Sequence, residues 1–80
     1  MNAQKSLWST SKLRPLRAGE ALPLGTVVDL INNPMPGRVY RFAGWERYGR
    51  AWFALLDAGD ADGRQYVADV ERVRVRVEEV

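Results

Sequence analysis

The stretch Gly37-Arg-Val-Tyr-Arg-Phe-Ala-Gly-Trp-Glu-Arg-Tyr-Gly-Arg-Ala-Trp-Phe-Ala-Leu-Leu-Asp57 decides how this chain folds. It holds two of the three tryptophans, two of the three tyrosines and both phenylalanines. It reads as two strands joined by a tight turn over Glu46 to Gly49. In the first strand, Arg38 to Trp45, Val39 faces one way and Tyr40 and Phe42 the other. Ala43-Gly44 then interrupts the alternation, which is the mark of a bulge or a sharp bend. In the second strand, Arg50 to Leu56, Trp52, Ala54 and Leu56 share one face and Phe53 and Leu55 the other. Both faces are apolar, so a central strand covered on both sides is expected.

Outward from this hairpin the chain stays short-stranded. Thr26 to Ile31 is β-branched and reads as a strand. Asn32 to Gly37 breaks it with two prolines and a glycine. After the polar loop Asp57 to Gly63, Arg64 to Ala68 is a short strand and Asp69 to Arg72 a single 3₁₀ turn with Val70 tucked inward. Val73, Val75 and Val77 then alternate with Arg74 and Arg76, the pattern of a half-buried strand. The expected fold is all-β: a five-stranded SH3-like barrel over residues 18–80, with a 3₁₀ turn before the last strand. An OB-fold needs a helix between its third and fourth strands, and none is visible.

Residues 1–17 read as a disordered basic tail, with Lys5, Lys12, Arg14 and Arg17 and no acid. Within it Leu7 and Trp8 are either a stray apolar pair or a docking anchor. From Arg38 onward eight arginines face eight acids, so the net charge of +2 resides in the first part of the chain.

A chain of 80 residues makes one domain with a modest core. It has no cysteine and no histidine, which excludes disulfides, thiolate metal sites, cysteine nucleophiles and Ser-His-Asp triads. No signal peptide and no membrane-length apolar run are present, so a soluble cytoplasmic protein without a membrane partner is expected. Asp60-x-Asp62-Gly63 has part of an EF-hand spacing, but the first ligand position is Ala58 and no helices flank it. It reads as a solvated turn capped by its own carboxylates, and no metal or cofactor is expected.

What remains is an arginine–aromatic surface. Phe42, Trp52 and Phe53 or Leu55 are expected in the core; Trp45, Tyr48 and Tyr66, next to turns or on a short edge strand, are expected outside. The candidate binding residues are Lys12, Arg14, Arg17, Arg41, Trp45, Arg47, Tyr48, Arg50 and Tyr66. Arginines take phosphates and aromatic rings stack on bases. The same residue types form protein–protein hot spots.

The order Gly25-Thr-Val-Val, Gly37-Arg-Val-Tyr-Arg-Phe, Gly63-Arg-Gln-Tyr-Val and Val70-Glu-Arg-Val resembles that of bacterial KOW, Tudor-like and related SH3-like modules. That resemblance spans Gly25 to Val77 and implies a nucleic-acid or protein ligand. The outline is also similar to the plasmid-borne type II dihydrofolate reductases, whose signature strand is Val-Gln-Ile-Tyr. Gln65 matches it, Tyr66 stands where that family has Ile, and the family's pore lysine has no clear counterpart. The leading expectation is a non-enzymatic nucleic-acid-binding module. The alternative is a protein-interaction or assembly module, a homo-oligomer included, using the exposed aromatics or the edge of the short strand at Arg64 to Ala68.

Overall fold

A computed structural model describes residues 11–78. Six strands form one antiparallel sheet: β1 (Ser11–Pro15), β2 (Val27–Leu30), β3 (Tyr40–Tyr48), β4 (Ala51–Asp57), β5 (Gln65–Asp69) and β6 (Val73–Glu78). Their order is β1-β6-β2-β3-β4-β5, so β1 and β5 are the two edges. A 3₁₀ turn, Val70–Arg72, precedes β6 and is capped by the Asp69 carboxylate, which accepts from the Glu71 amide.

The sixth strand is a correction. Residues 11–17 were expected in the disordered tail, yet Ser11–Pro15 pairs with β6, Lys12 opposite Val77 and Arg14 opposite Val75. Leu16, directly after it, is 4% exposed and donates its amide to the Val73 carbonyl at 3.2 Å. Lys12, Arg14 and Pro15 made the segment look unfit for a sheet. All three suit an edge, where one side of the strand needs no partner. Leu7 and Trp8 lie outside the described residues.

The hairpin is longer than expected. β3 continues through Glu46 and Arg47 to Tyr48, and the turn is only Gly49-Arg50. Gly49 has φ 60° and Arg50 stays at negative φ, the pattern of a type II′ hairpin turn, whose twist matches that of the strands. The expected irregularity at Ala43-Gly44 is present: the register of β3 on β4 shifts between Phe42 and Gly44, and Gly44 sits at φ 137°. The extra residue moves β3 half a pleat. Phe42 and Trp45, an odd number of positions apart, therefore share one face.

That inner face carries the core. Leu16, Val28, Tyr40, Phe42, Ala54, Leu56, Ala58, Ala68, Val73 and Val75 are buried, and Val70 packs against them. Tyr40 is buried with its hydroxyl donating to Asn33 at 2.8 Å, so its polar end is satisfied. Two core expectations change. β4 is covered on one side only, so Phe53 and Leu55 lie half-buried on the outer face. Val77, expected inside, is 40% exposed, because beyond Val75 the neighbour of β6 is the thin edge strand β1.

Candidate functional site

Two separate parts of the chain meet at the hairpin end of the sheet. After β1 the chain turns over residues 17–20, closed by the Glu20 amide donating to the Arg17 carbonyl at 3.0 Å. Glu20 is the first acid in the sequence. Its carboxylate accepts two hydrogen bonds from the Arg14 guanidinium, the Nη1–Oε1 bond measuring 2.9 Å, and a third from the Arg17 amide at 3.2 Å. The Arg14 clasp, then the Arg17 amide, hold the Glu20 carboxyl down at about 2 against opposing desolvation, and Arg14 is shifted up in return.

The same turn rests on the hairpin. The Trp45 indole donates to the Glu20 carbonyl at 2.9 Å. Gly19 lies on the Trp52 ring. Phe42, Trp45 and Trp52 form an edge-to-face series, with ring centres 5.4 Å and then 5.6 Å apart. At its outer end the Arg47 guanidinium lies 5.4 Å from the centre of the Trp52 ring, its Nε donating to the Gly49 carbonyl at 2.9 Å. The series runs from the core to the surface, where Arg47 and Arg50 are exposed.

Five of the nine expected residues are thus brought together: Arg14, Arg17, Trp45, Arg47 and Arg50. Trp45 is half-buried rather than exposed, because the bulge turns it inward. Trp52, expected in the core, is the half-buried ring beneath Arg47. Lys12 is two residues along β1 from Arg14, on the same face. The other three are elsewhere. Tyr48 lies on the outer face of the hairpin, 61% exposed, its ring 5.6 Å from Phe53. The neighbouring Glu46 carboxylate pushes its phenol up. Arg41 is on the outer face opposite Asp57 and donates to the Gly25 carbonyl at 3.1 Å. Tyr66 is half-buried on the inner side of β5, donating to Asp60 at 2.6 Å. That bond raises the phenol and lowers Asp60, which also takes Arg38.

The sequence reading missed Glu20 and Gly19, which join the tail arginines to the tryptophans. A lone acid after four cations was the available signal. The acidic loop behaves as a turn: Asp57 accepts from the Gly59 amide at 2.8 Å and Asp62 from the Arg64 amide at 3.0 Å. Among the described residues no cluster of three metal-ligating side chains occurs, and no helix is long and apolar enough to cross a membrane.

Electrostatically, this end of the sheet carries four arginines: Arg47 lies on Trp52, Arg14 holds the Glu20 carboxylate, and Arg17 and Arg50 are exposed in the two adjoining turns. No family model matches this chain, and no curated protein or solved structure matches it.

Proposed function

We propose that the protein is a non-enzymatic SH3-like module that binds single-stranded nucleic acid at its arginine–tryptophan end. The fold part rests on strand order. The sequence β6-β2-β3-β4-β5, with a 3₁₀ turn before β6, is the order of an SH3-like barrel, to which β1 adds an edge. The observation that carries the binding reading is that Arg47 lies on Trp52, against which the turn holding Arg14 and Arg17 is seated, with Arg50 in the adjoining hairpin turn. Arginines neutralise phosphates, and a guanidinium lying on an indole offers a flat platform for an unstacked base. The acids of the domain lie mostly in other loops and strands, so the neutral total does not cancel this local charge.

The test is a titration of the full chain with an oligonucleotide, followed by amide shifts at two salt concentrations. Binding centred on residues 14–20 and 45–52, with log K falling against log salt by about 2–3, is the expected result for three or four phosphate contacts. Affinity unchanged by salt, or shifts confined to another face, overturns it.

A protein-interaction role is favoured by a different surface. The outer face of β3 to β5 exposes Tyr48 and Val67 beside the half-buried Phe53 and Leu55.

A further inference from the structure

We propose that two copies of this chain pair through the free edge of β5, antiparallel, about a two-fold axis at Val67. This deepens the protein-interaction reading and is independent of the arginine–tryptophan end.

β5 pairs with β4 alone and stands at the edge of the sheet. Free edges template further strands, and natural sheets guard them with lysine, proline or bulges. The opposite edge is so guarded: β1 carries Lys12 and Pro15, and pairing it with itself about Leu13 would set Lys12 against the partner's Arg14. β5 (Gln-Tyr-Val-Ala-Asp) has no lysine, no proline and no register shift against β4.

Both sides of this edge carry apolar surface at their centre. On the outer side Val67 is 54% exposed and stands opposite Leu55. On the inner side an apolar cleft of about 240 Å³ opens beside the strand, lined by Leu30, Pro34, Met35, Tyr40 and Tyr66. Arg72 forms one wall and is held by the Ile31 and Asn32 carbonyls. A strand laid along β5 covers Val67 and closes this cleft together.

The register about Val67 is self-complementary. Val67 faces the partner's Val67, extending the Leu55–Val67 row into its mirror. Tyr66 faces the partner's Ala68, a large residue against a small one. Gln65 faces the partner's Asp69. Arg64, just before the strand, comes beside the partner's Asp69 and Glu71 at both ends, and no like charges meet across the ladder. The present contact of Arg64 with Asp62, 3.5 Å between largely exposed groups, does not commit it. Five residues of edge make a small interface, so the dimer is weak, with Kd in the micromolar range, roughly 10–100 μM.

The test is sedimentation of the full chain from about 10 μM to about 1 mM, spanning that range, with label-filtered NOEs on a mixed-isotope sample. The expected result is a monomer–dimer equilibrium with contacts between the two Val67 side chains. Val67→Lys, at an exposed position, puts two ammonium groups face to face and weakens the dimer by about tenfold or more. Arg64→Glu, outside the strand, weakens it severalfold, with a smaller effect at high salt. Leu13→Lys, on the opposite edge, leaves it unchanged. A chain that stays monomeric throughout, or a dimer indifferent to both Val67→Lys and Arg64→Glu, overturns the proposal. Oligonucleotide binding by the same variants is read separately, so the loss of one reading leaves the other standing.

Discussion

Gly19 lies so close to Trp52 that a Cβ added to it would stand 3.3 Å from the indole. This contact seats the turn after β1 on the hairpin. Gly19 also has φ +74°, a conformation that side chains other than glycine rarely adopt. Gly19→Ala is therefore expected to destabilise the fold by about 1–2 kcal/mol, from backbone strain and a displaced ring. Urea denaturation followed by tryptophan fluorescence measures this, and an unchanged midpoint would contradict the packing described.

The clasp between Glu20 and Arg14 predicts an acid-sensitive step. The Glu20 carboxyl titrates at about 2 in the folded chain, below its ordinary 4.5. A depressed carboxylate stabilises the fold fully above its unfolded value and loses that contribution as pH falls towards the folded one. Stability is thus expected to drop between pH 4.5 and about 2. Glu20→Gln should remove about 1 kcal/mol at neutral pH, allowing for solvent screening of a surface pair, and flatten the profile in that window. Denaturation midpoints across pH for both proteins provide the comparison.

Arg47 and Arg41 lie on opposite faces of β3. In oligonucleotide titrations Arg47→Ala should weaken binding several-fold and reduce the salt slope by about 1. Arg41→Ala, whose guanidinium sits beside the Gly25 carbonyl, should leave both unchanged. Equal losses from the two substitutions would argue for diffuse attraction rather than a site.

Leu55 and Leu56 are sequence neighbours on opposite faces of β4. Leu56 is fully buried, so Leu56→Ala should cost about 2–5 kcal/mol. That is comparable to the whole stability of so small a domain, and the variant should be largely unfolded by circular dichroism. Leu55→Ala, on the half-open outer face, should lose about 1 kcal/mol and keep its fold.

Most of the local structure was legible because it is written in local patterns. The alternation of Val73 to Val77, the breaks at Asn32 to Gly37 and Asp57 to Gly63, and the kink at Ala43-Gly44 each follow from neighbouring residues. What escaped depends on distant ones. β1 looks polar in isolation and becomes a strand only because β6, at the other end of the sequence, offers it an edge. Trp45 was expected outside because it was read as lying next to the turn, but β3 runs on to Tyr48 and the bulge sets Trp45 on the face of Phe42. The site was half visible for the same reason. The arginines and tryptophans stand out by type, but that Arg14 and Arg17 reach the hairpin depends on Glu20 and Gly19, whose partners lie far along the chain. Tyr66 and Arg41 were grouped with the site by composition; the pleat carries Arg41 to the outer face, and Tyr66, opposite Leu56, lies at the other end of β4 from Trp52.

The position of β6 has a consequence for how the molecule comes into being. The final strand of the sheet to be synthesised lies between the first two, so neither β1 nor β2 has its β6 neighbour until that segment has left the ribosome. A nascent chain ending before Val73 would hold the β3–β4 hairpin and β5, with one edge of β2 unpaired and β1 without its strand partner. Completion is a late, long-range closure, which sets a slow folding rate for so short a protein and leaves a window for association with other nascent chains.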